Sequence, residues 1–213
     1  MTAKNFAISL ALTLGYEGEW SDNPADPGGA TMYGVTQRTY DAYRISKKLP
    51  LQSVRLMSTS ERFDIYQETF WTPCGCDVLP SGVDYALFDF AVNSGVTRAV
   101  MTLQSVLGIE QDGRMGPQTV SSTLSYCEKY QVTALTDALC VARSKFLQTL
   151  PTYGAFGEGW MTRIFGQQAG AQLDDTGVLD RAFDLAQGIE PVMPTEQRQT
   201  SKATNRSAGE ITA

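Results

Sequence analysis

The residues best equipped for chemistry are Glu17 and Asp26, two carboxylates nine positions apart. They lie within residues 15–36, where Pro24, Pro27, Gly28, Gly29 and Gly34 deny the chain a long helix or an unbroken strand. Glu17 follows an apolar helical run, three residues after Leu14. If the helix persists, it falls near the inward face. An acid placed there is partly desolvated, which raises its pKa and keeps a proton ready for a leaving oxygen. Asp26, in a turn beside the amides of Pro-Gly-Gly, stays ionised and can hold a water. Two carboxyls in those roles are the equipment of glycoside hydrolysis. Gly28 and Gly29 let backbone approach a sugar closely, and Trp20 and Tyr33 offer flat apolar faces. A purely structural reading stands beside this one: acids cap helix ends, Asp-Pro-Gly-Gly makes ordinary turns, and aromatic residues fill cores.

Composition narrows the alternatives. The 213-residue chain has no histidine, so Ser-His-Asp and Cys-His nucleophilic catalysis are excluded. Acid–base work must come from carboxylates, Tyr, Lys or the termini. The net charge is −6 and no Lys/Arg-rich run occurs, which argues against nucleic-acid binding by phosphate neutralisation. No apolar run reaches the roughly 18 residues of a membrane span. Residues 6–14, preceded only by Lys4, make a poor signal peptide and read as an amphipathic helix. Of the four cysteines, Cys74 and Cys76 are too close for a zinc knuckle, and with Cys127 and Cys140 they read as buried free thiols. No metal and no cofactor is expected.

The elements that must hold the two acids read mostly as helices. Residues 3–16 place Phe6, Ala7, Leu10, Ala11 and Leu14 on one face. Residues 31–33 suit a short strand, and Thr36 an N-cap. Ser58-Thr-Ser-Glu61 is a capping box opening a helix through Phe63, Tyr66, Phe70 and Trp71. Residues 73–82, with two prolines and two glycines, read as a hinge between lobes. Further helices are predicted over residues 84–92, 96–107 (closed by Gly108), from Gly116-Pro117 onward, 132–149 and 156–172. Residues 178–188 suit a short helix within an otherwise weakly structured region from 174. From Pro191 the sequence has the polar composition of a disordered tail, whose removal is expected to leave stability unchanged.

Taken together, Glu17-Gly-Glu-Trp, Asp26-Pro-Gly-Gly-Ala-Thr31-Met-Tyr-Gly34-Val-Thr36 resembles the signature of glycoside hydrolase family 108. These are N-acetylmuramidases found among phage endolysins and bacterial secretion-linked lysozymes. Leu87-Phe-Asp-Phe-Ala-Val-Asn93-Ser-Gly95, then Leu103-Gln104, Asp112-Gly113 and Gly116-Pro117-Gln-Thr119, resemble the family's C-terminal peptidoglycan-binding-type helical region. The resemblance covers about residues 6–172. It implies a mostly α, α+β lysozyme-like fold: a muramidase domain over 1–173, divided into a catalytic lobe (1–80) and a helical peptidoglycan-binding-type lobe (81–173), then a tail (174–213). It also implies cleavage of the β-1,4 bond after N-acetylmuramic acid, no metal, and catalysis by Glu17. Glu19 departs from the usual Glu-Gly-Gly-aromatic pattern.

The spacing Glu17, Asp26, Thr31 is also similar to the Glu…Asp…Thr arrangement of inverting phage lysozymes, with Thr31 one position closer. By that analogy Asp26 and Thr31 position the attacking water. Asn93 is a candidate to reach the cleft, with helix C-capping as its structural alternative. A lytic transglycosylase using Glu17 alone, and a non-catalytic wall-binding module, are the competing readings. The expected partner is peptidoglycan glycan strands, acted on in the periplasm or at the wall by a monomer made in the cytoplasm. Export would go through a holin-type pore or secretion machinery.

Overall fold

The computed structural model describes residues 2–15, 20–21, 30–166 and 177–192. Nine α-helices and one three-stranded sheet lie among them. α1 (Thr2–Leu14) is followed by β1 (Trp20–Ser21), β2 (Thr31–Met32) and β3 (Val35–Thr36), then α2 (Gln37–Ser46) and α3 (Thr59–Tyr66). The remainder is α4 (Val83–Ser94), α5 (Val96–Leu107), α6 (Pro117–Tyr130), α7 (Val132–Gln148), α8 (Tyr153–Phe165) and α9 (Val178–Gln187). The fold is mostly α with a small sheet, in agreement with the sequence. No helix among the described residues is long and apolar enough to cross a membrane.

α4 is the axis of the packing. Nine of its residues, Val83 through Ala91, are buried, and it packs against α1 on one side and α5, α7 and α9 on the others. On the α1 side the contact is aromatic: Phe6 lies 5.1 Å from Trp71 and 5.8 Å from Phe88, and Trp71 lies 5.5 Å from Phe88, all tilted or edge-on. Trp71 reaches this cluster from a π-helical turn, Gln67–Trp71, that interrupts the continuous helix the sequence predicts after Ser58. The wider turn shifts the helix register by about one residue, and the indole N–H is satisfied by Asp77 Oδ1 at 2.8 Å.

The buried face of α1 differs from the predicted one. Phe6, Ser9, Leu10, Leu12 and Thr13 are buried, whereas Ala7 and Ala11 are exposed. Alanine is nearly neutral in burial, so spacing alone gave it too much weight. Asn5, Ser9 and Thr13 form an i, i+4 row. Asn5 donates to Asp84 Oδ2 (2.9 Å), and the Ser9 and Thr13 hydroxyls are buried without a hydrogen-bond partner among the described residues.

Two acids on α4 handle its burial in opposite ways. Burial pushes the Asp84 carboxyl up to about 6, against the hydrogen bonds it accepts from Asn5 and from the Tyr85 and Gly82 amides. Burial would also raise Asp89, but the charges of Arg163 and Arg143 and their hydrogen bonds outweigh it, and the carboxyl falls to about 2. Arg143 Nη1 lies 2.7 Å from Oδ1, and Arg163 grips through Nη2 (2.9 Å to Oδ2) and Nε (3.1 Å to Oδ1). One carboxylate therefore ties α4 to α7 and α8.

The second motif block is explained by Gln104. Its buried amide donates to Asp112 (2.6 Å), Thr119 (3.0 Å) and the Arg114 carbonyl (3.1 Å), and accepts from the Gly113 amide (2.9 Å). These residues fix the turn between α5 and α6. Cys74, Cys76 and Cys140 are buried free thiols, Cys127 is half-buried, and burial pushes Cys140 up to about 12.

The short helix offered for residues 178–188 is present as α9, so the region assigned to a weakly structured tail contains a packed element. Val178, Arg181, Ala182 and Leu185 are buried. Its approach to α4 requires Gly82 (φ +99°), where a Cβ would sit 2.4 Å from the Ala182 carbonyl oxygen. Docking continues past the helix: Pro191 is buried and Arg181 Nε donates to the Val192 carbonyl (3.2 Å). The predicted cut at 191 is therefore two residues too early. A chain ending at Glu190 should melt roughly 3–10 °C below one ending at Val192, the loss of a charge-assisted hydrogen bond. Equal melting points would show that the contact contributes nothing.

Asp89→Asn leaves the buried Arg143 and the half-buried Arg163 without a counter-charge and should destabilise the fold by about 3–5 kcal/mol. Because folding lowers the Asp89 pKa, its contribution is complete above pH about 4 and disappears as pH falls toward 2. The gap between parent and variant, measured by denaturant unfolding, should close over that range.

Candidate active site

Glu17, Asp26, Gly28 and Gly29 lie outside the described residues. The structure does describe the frame on either side of them. α1 ends at Leu14, ahead of Glu17, and β1 begins at Trp20, after it. Ser21 pairs with Thr31, and Trp20 with Met32, in antiparallel register. The residues flanking 22–30 are thus held side by side by the β1–β2 ladder. The predicted strand at 31–33 is present as β2. Thr31, half-buried, is the β2 residue that pairs with Ser21 on one side and Thr36 on the other.

β2 and β3 are joined by two residues, Tyr33 and Gly34, with φ of +47° and +76°. Both positive values mark a type I′ hairpin, which favours Asn-Gly and disfavours an aromatic at the first position. Tyr33 is therefore strained, at a cost on the order of 1 kcal/mol. It is held there by two groups from α3. The Tyr66 hydroxyl donates to the Tyr33 carbonyl at 2.7 Å, and the Arg62 guanidinium lies 4.4 Å from the centre of the Tyr33 ring. Trp20, 37% exposed, carries a second guanidinium, that of Arg55, at 5.2 Å. Trp20 pairs with Met32, the residue before Tyr33.

The support behind the sheet is polar. Thr36 caps α2, its hydroxyl accepting from the Thr39 amide (3.2 Å) as the sequence predicts. Gln37 donates to the Gln52 carbonyl (2.8 Å) and accepts from the Val54 amide (2.7 Å), fixing the 3₁₀ turn Val54–Leu56 that carries Arg55. The Ser58–Glu61 capping box forms, and Glu61 also receives Tyr40 (2.9 Å) and pairs with Arg44. Burial raises the Glu61 carboxyl, but the Ser58 amide, Tyr40 and Arg44 leave it below the usual carboxylate range.

Asn93 sits in the last turn of α4, where it accepts from the Ser94 hydroxyl (3.0 Å). It does not cap the helix; Gly95 does, its amide bonded to the Ala91 carbonyl (2.8 Å). The structure thus places Trp20 and Thr31 in one sheet, with Tyr33 in the turn that joins its β2 and β3 strands. Among the described residues, no hydrogen bond links Asn93 to that sheet. Sequence reasoning missed Arg55, Arg62 and Tyr66. Tyr66 looked like an ordinary core position, and nothing in the spacing of the arginines pairs them with Trp20 and Tyr33.

Tyr33→Asn would place the preferred residue in the hairpin while removing the ring. Its melting temperature should stay within about 3 °C of the parent, because relieved strain and the lost guanidinium contact nearly offset, while activity on glycan strands falls at least about tenfold. A large drop in melting temperature with full activity would assign the ring to packing.

Residues 10–95 match the family model described as glycosyl hydrolase 108, and residues 98–165 match one described as a predicted peptidoglycan domain. The two matches meet at Gly95, between α4 and α5; residues 73–82 fall inside the first. Among solved structures, SagA of Brucella abortus is 33% identical with a TM-score of 0.70. The match covers 86% of this chain and 97% of that one. No curated protein sequence matches the chain.

Proposed function

The chain belongs to the glycosyl hydrolase 108 family, and from that premise we propose that it is an N-acetylmuramidase. It is a peptidoglycan hydrolase by family and by its peptidoglycan domain. The finer reading is hydrolysis of the β-1,4 bond between N-acetylmuramic acid and N-acetylglucosamine. Glu17 is the general acid, and Asp26 and Thr31 place the attacking water. Trp20, Tyr33, Gly28 and Gly29 contact sugar. Asn93 remains a weaker candidate, for its side chain is engaged by Ser94. Residues 1–80 carry the chemistry and 81–173 grip the glycan, with α4 shared by both; the enzyme works as a monomer in the periplasm or at the wall. Release through a holin-type pore or secretion machinery fits that site of action.

The observation that supports this best is the β1–β2 ladder. By pairing Ser21 with Thr31, it sets the two ends of the segment that contains Asp26 beside the threonine proposed to share its water. Inverting hydrolysis needs two carboxyls roughly 6.5–9.5 Å apart, with a water between. A transglycosylase needs one acid and no such water.

Glu17→Gln keeps the size of the side chain but cannot donate an acid's proton, so clearing of purified sacculi should fall ~10²–10⁴-fold with the melting temperature unchanged. Retention of more than about a tenth of the activity removes Glu17 from the role. Asp26→Asn should cripple turnover while strands still bind. Mass spectrometry of the released muropeptides should show free reducing ends; 1,6-anhydro ends would make the enzyme a transglycosylase.

A further inference from the structure

We propose that Arg55 and Arg62 are cations that recognise the carboxylate carried on the muramic acid side chain of the substrate, and so tell muramic acid from N-acetylglucosamine. This rests on the muramidase reading above. Three observations carry it. The first is placement: each guanidinium lies over one of the two aromatic rings proposed to meet sugar, Arg62 at 4.4 Å from Tyr33 and Arg55 at 5.2 Å from Trp20.

The second is that, among the described residues, their charge is not paired with a carboxylate. Arg44 pairs with Glu61, and Arg143 and Arg163 share Asp89. Among the described residues, neither Arg55 nor Arg62 meets a carboxylate, and Arg62 Nε is buried with no hydrogen-bond partner. A guanidinium fork is shaped to hold a carboxylate through two parallel bonds. The third is overall charge. At −6 the chain as a whole repels anionic polymers, so local cations are needed where an anionic strand is to lie.

Muramic acid differs from N-acetylglucosamine by a lactyl ether that ends in a carboxyl group. That group is free on trimmed strands and amide-linked to a peptide stem, with carboxylates of its own, on intact ones. Recognition of such a carboxylate beside Tyr33 fixes the register of the strand, because it sets which sugar ring lies against the hairpin. Arg55 and Arg62 are binding residues in this scheme and take no part in proton transfer.

The test uses the full chain and soluble glycan strands in three forms: stem-bearing, trimmed by an amidase to free lactyl carboxylates, and each of these methyl-esterified. Reducing ends give kcat and KM, and co-sedimentation with the strands gives binding. Esterification should raise KM of the parent roughly tenfold with little change in kcat, the loss of a charge-assisted contact. In the Arg55→Gln, Arg62→Gln double variant the ratio of KM between ester and acid forms should fall to about one, and Arg62→Lys should restore part of it. Whichever strand loses more on esterification identifies the lactyl or the stem carboxylate as the group read.

Equal KM for acid and ester forms in the parent overturns the proposal, whatever the variants do. If Arg62→Gln fails to fold, that comparison and Arg55→Gln, at an exposed position, still decide it. Carboxylate-dependent binding without cleavage would sink the muramidase reading and leave this one standing. Cleavage with a carboxylate-independent KM would do the reverse.

Discussion

A helix buried on every side can carry charge only where the charge is answered, and α4 carries two carboxylates. Asp89 is answered by two arginines from helices far along the chain, α7 and α8. Such a triad is not a large net source of stability, since desolvating three charges consumes most of what their attraction returns. Its effect is geometric: one carboxylate fixes α4 against both α7 and α8. Asp84, in the first turn of the same helix, is answered differently, by Asn5 of α1 and by two backbone amides. α4 thereby ties the C-terminal helices to α1, the helix that precedes Glu17.

This arrangement explains why the two family matches meet at Gly95 while the packing does not divide there. α4 belongs by sequence to the first match, yet its buried faces are completed by α5, α7 and α9. The sheet and its aromatic residues are carried on α2 and α3, and Tyr66 and Trp71 pack toward Phe88 of α4. The aromatic core thus reaches the hairpin through Tyr66, which also bonds the Tyr33 carbonyl.

Most helices were legible because their apolar periodicity and caps agree. Thr36, the Ser58–Glu61 box, Gly108 and Gly116-Pro117 all act at the ends the sequence assigns them. The misses have physical causes. Ala7 and Ala11 carried a periodic signal with little burial behind it. The π-helical turn before Trp71 answers to the aromatic cluster around Phe6 and Phe88, a tertiary demand that no local pattern encodes. α9 looked weak because one of its four buried residues is Arg181, which reads as surface until its partners are known. At the site, the assignment of Glu17, Asp26 and Thr31 came from motif resemblance and spacing. The arginine partners of Trp20 and Tyr33 depend on how α3 and the 3₁₀ turn fold back on the sheet, and so could be seen only in three dimensions.

The hairpin shows how the two levels meet. A type I′ turn with tyrosine in its first position is a poor choice for stability, since asparagine or glycine would adopt the same φ with less strain. The surroundings are arranged to keep the tyrosine: a hydroxyl bonds its carbonyl, and a guanidinium covers its ring. Among the described residues of the sheet, local preference and tertiary support conflict only here. Such conflicts are expected where a side chain is kept for what it touches outside the protein. The same reasoning applies to Arg62, whose buried Nε would be better satisfied by any nearby acceptor than by none. The hairpin thus holds Tyr33 by tertiary support against its own local preference, and the cost of that conformation is carried by α3, which supplies both the hydroxyl and the guanidinium.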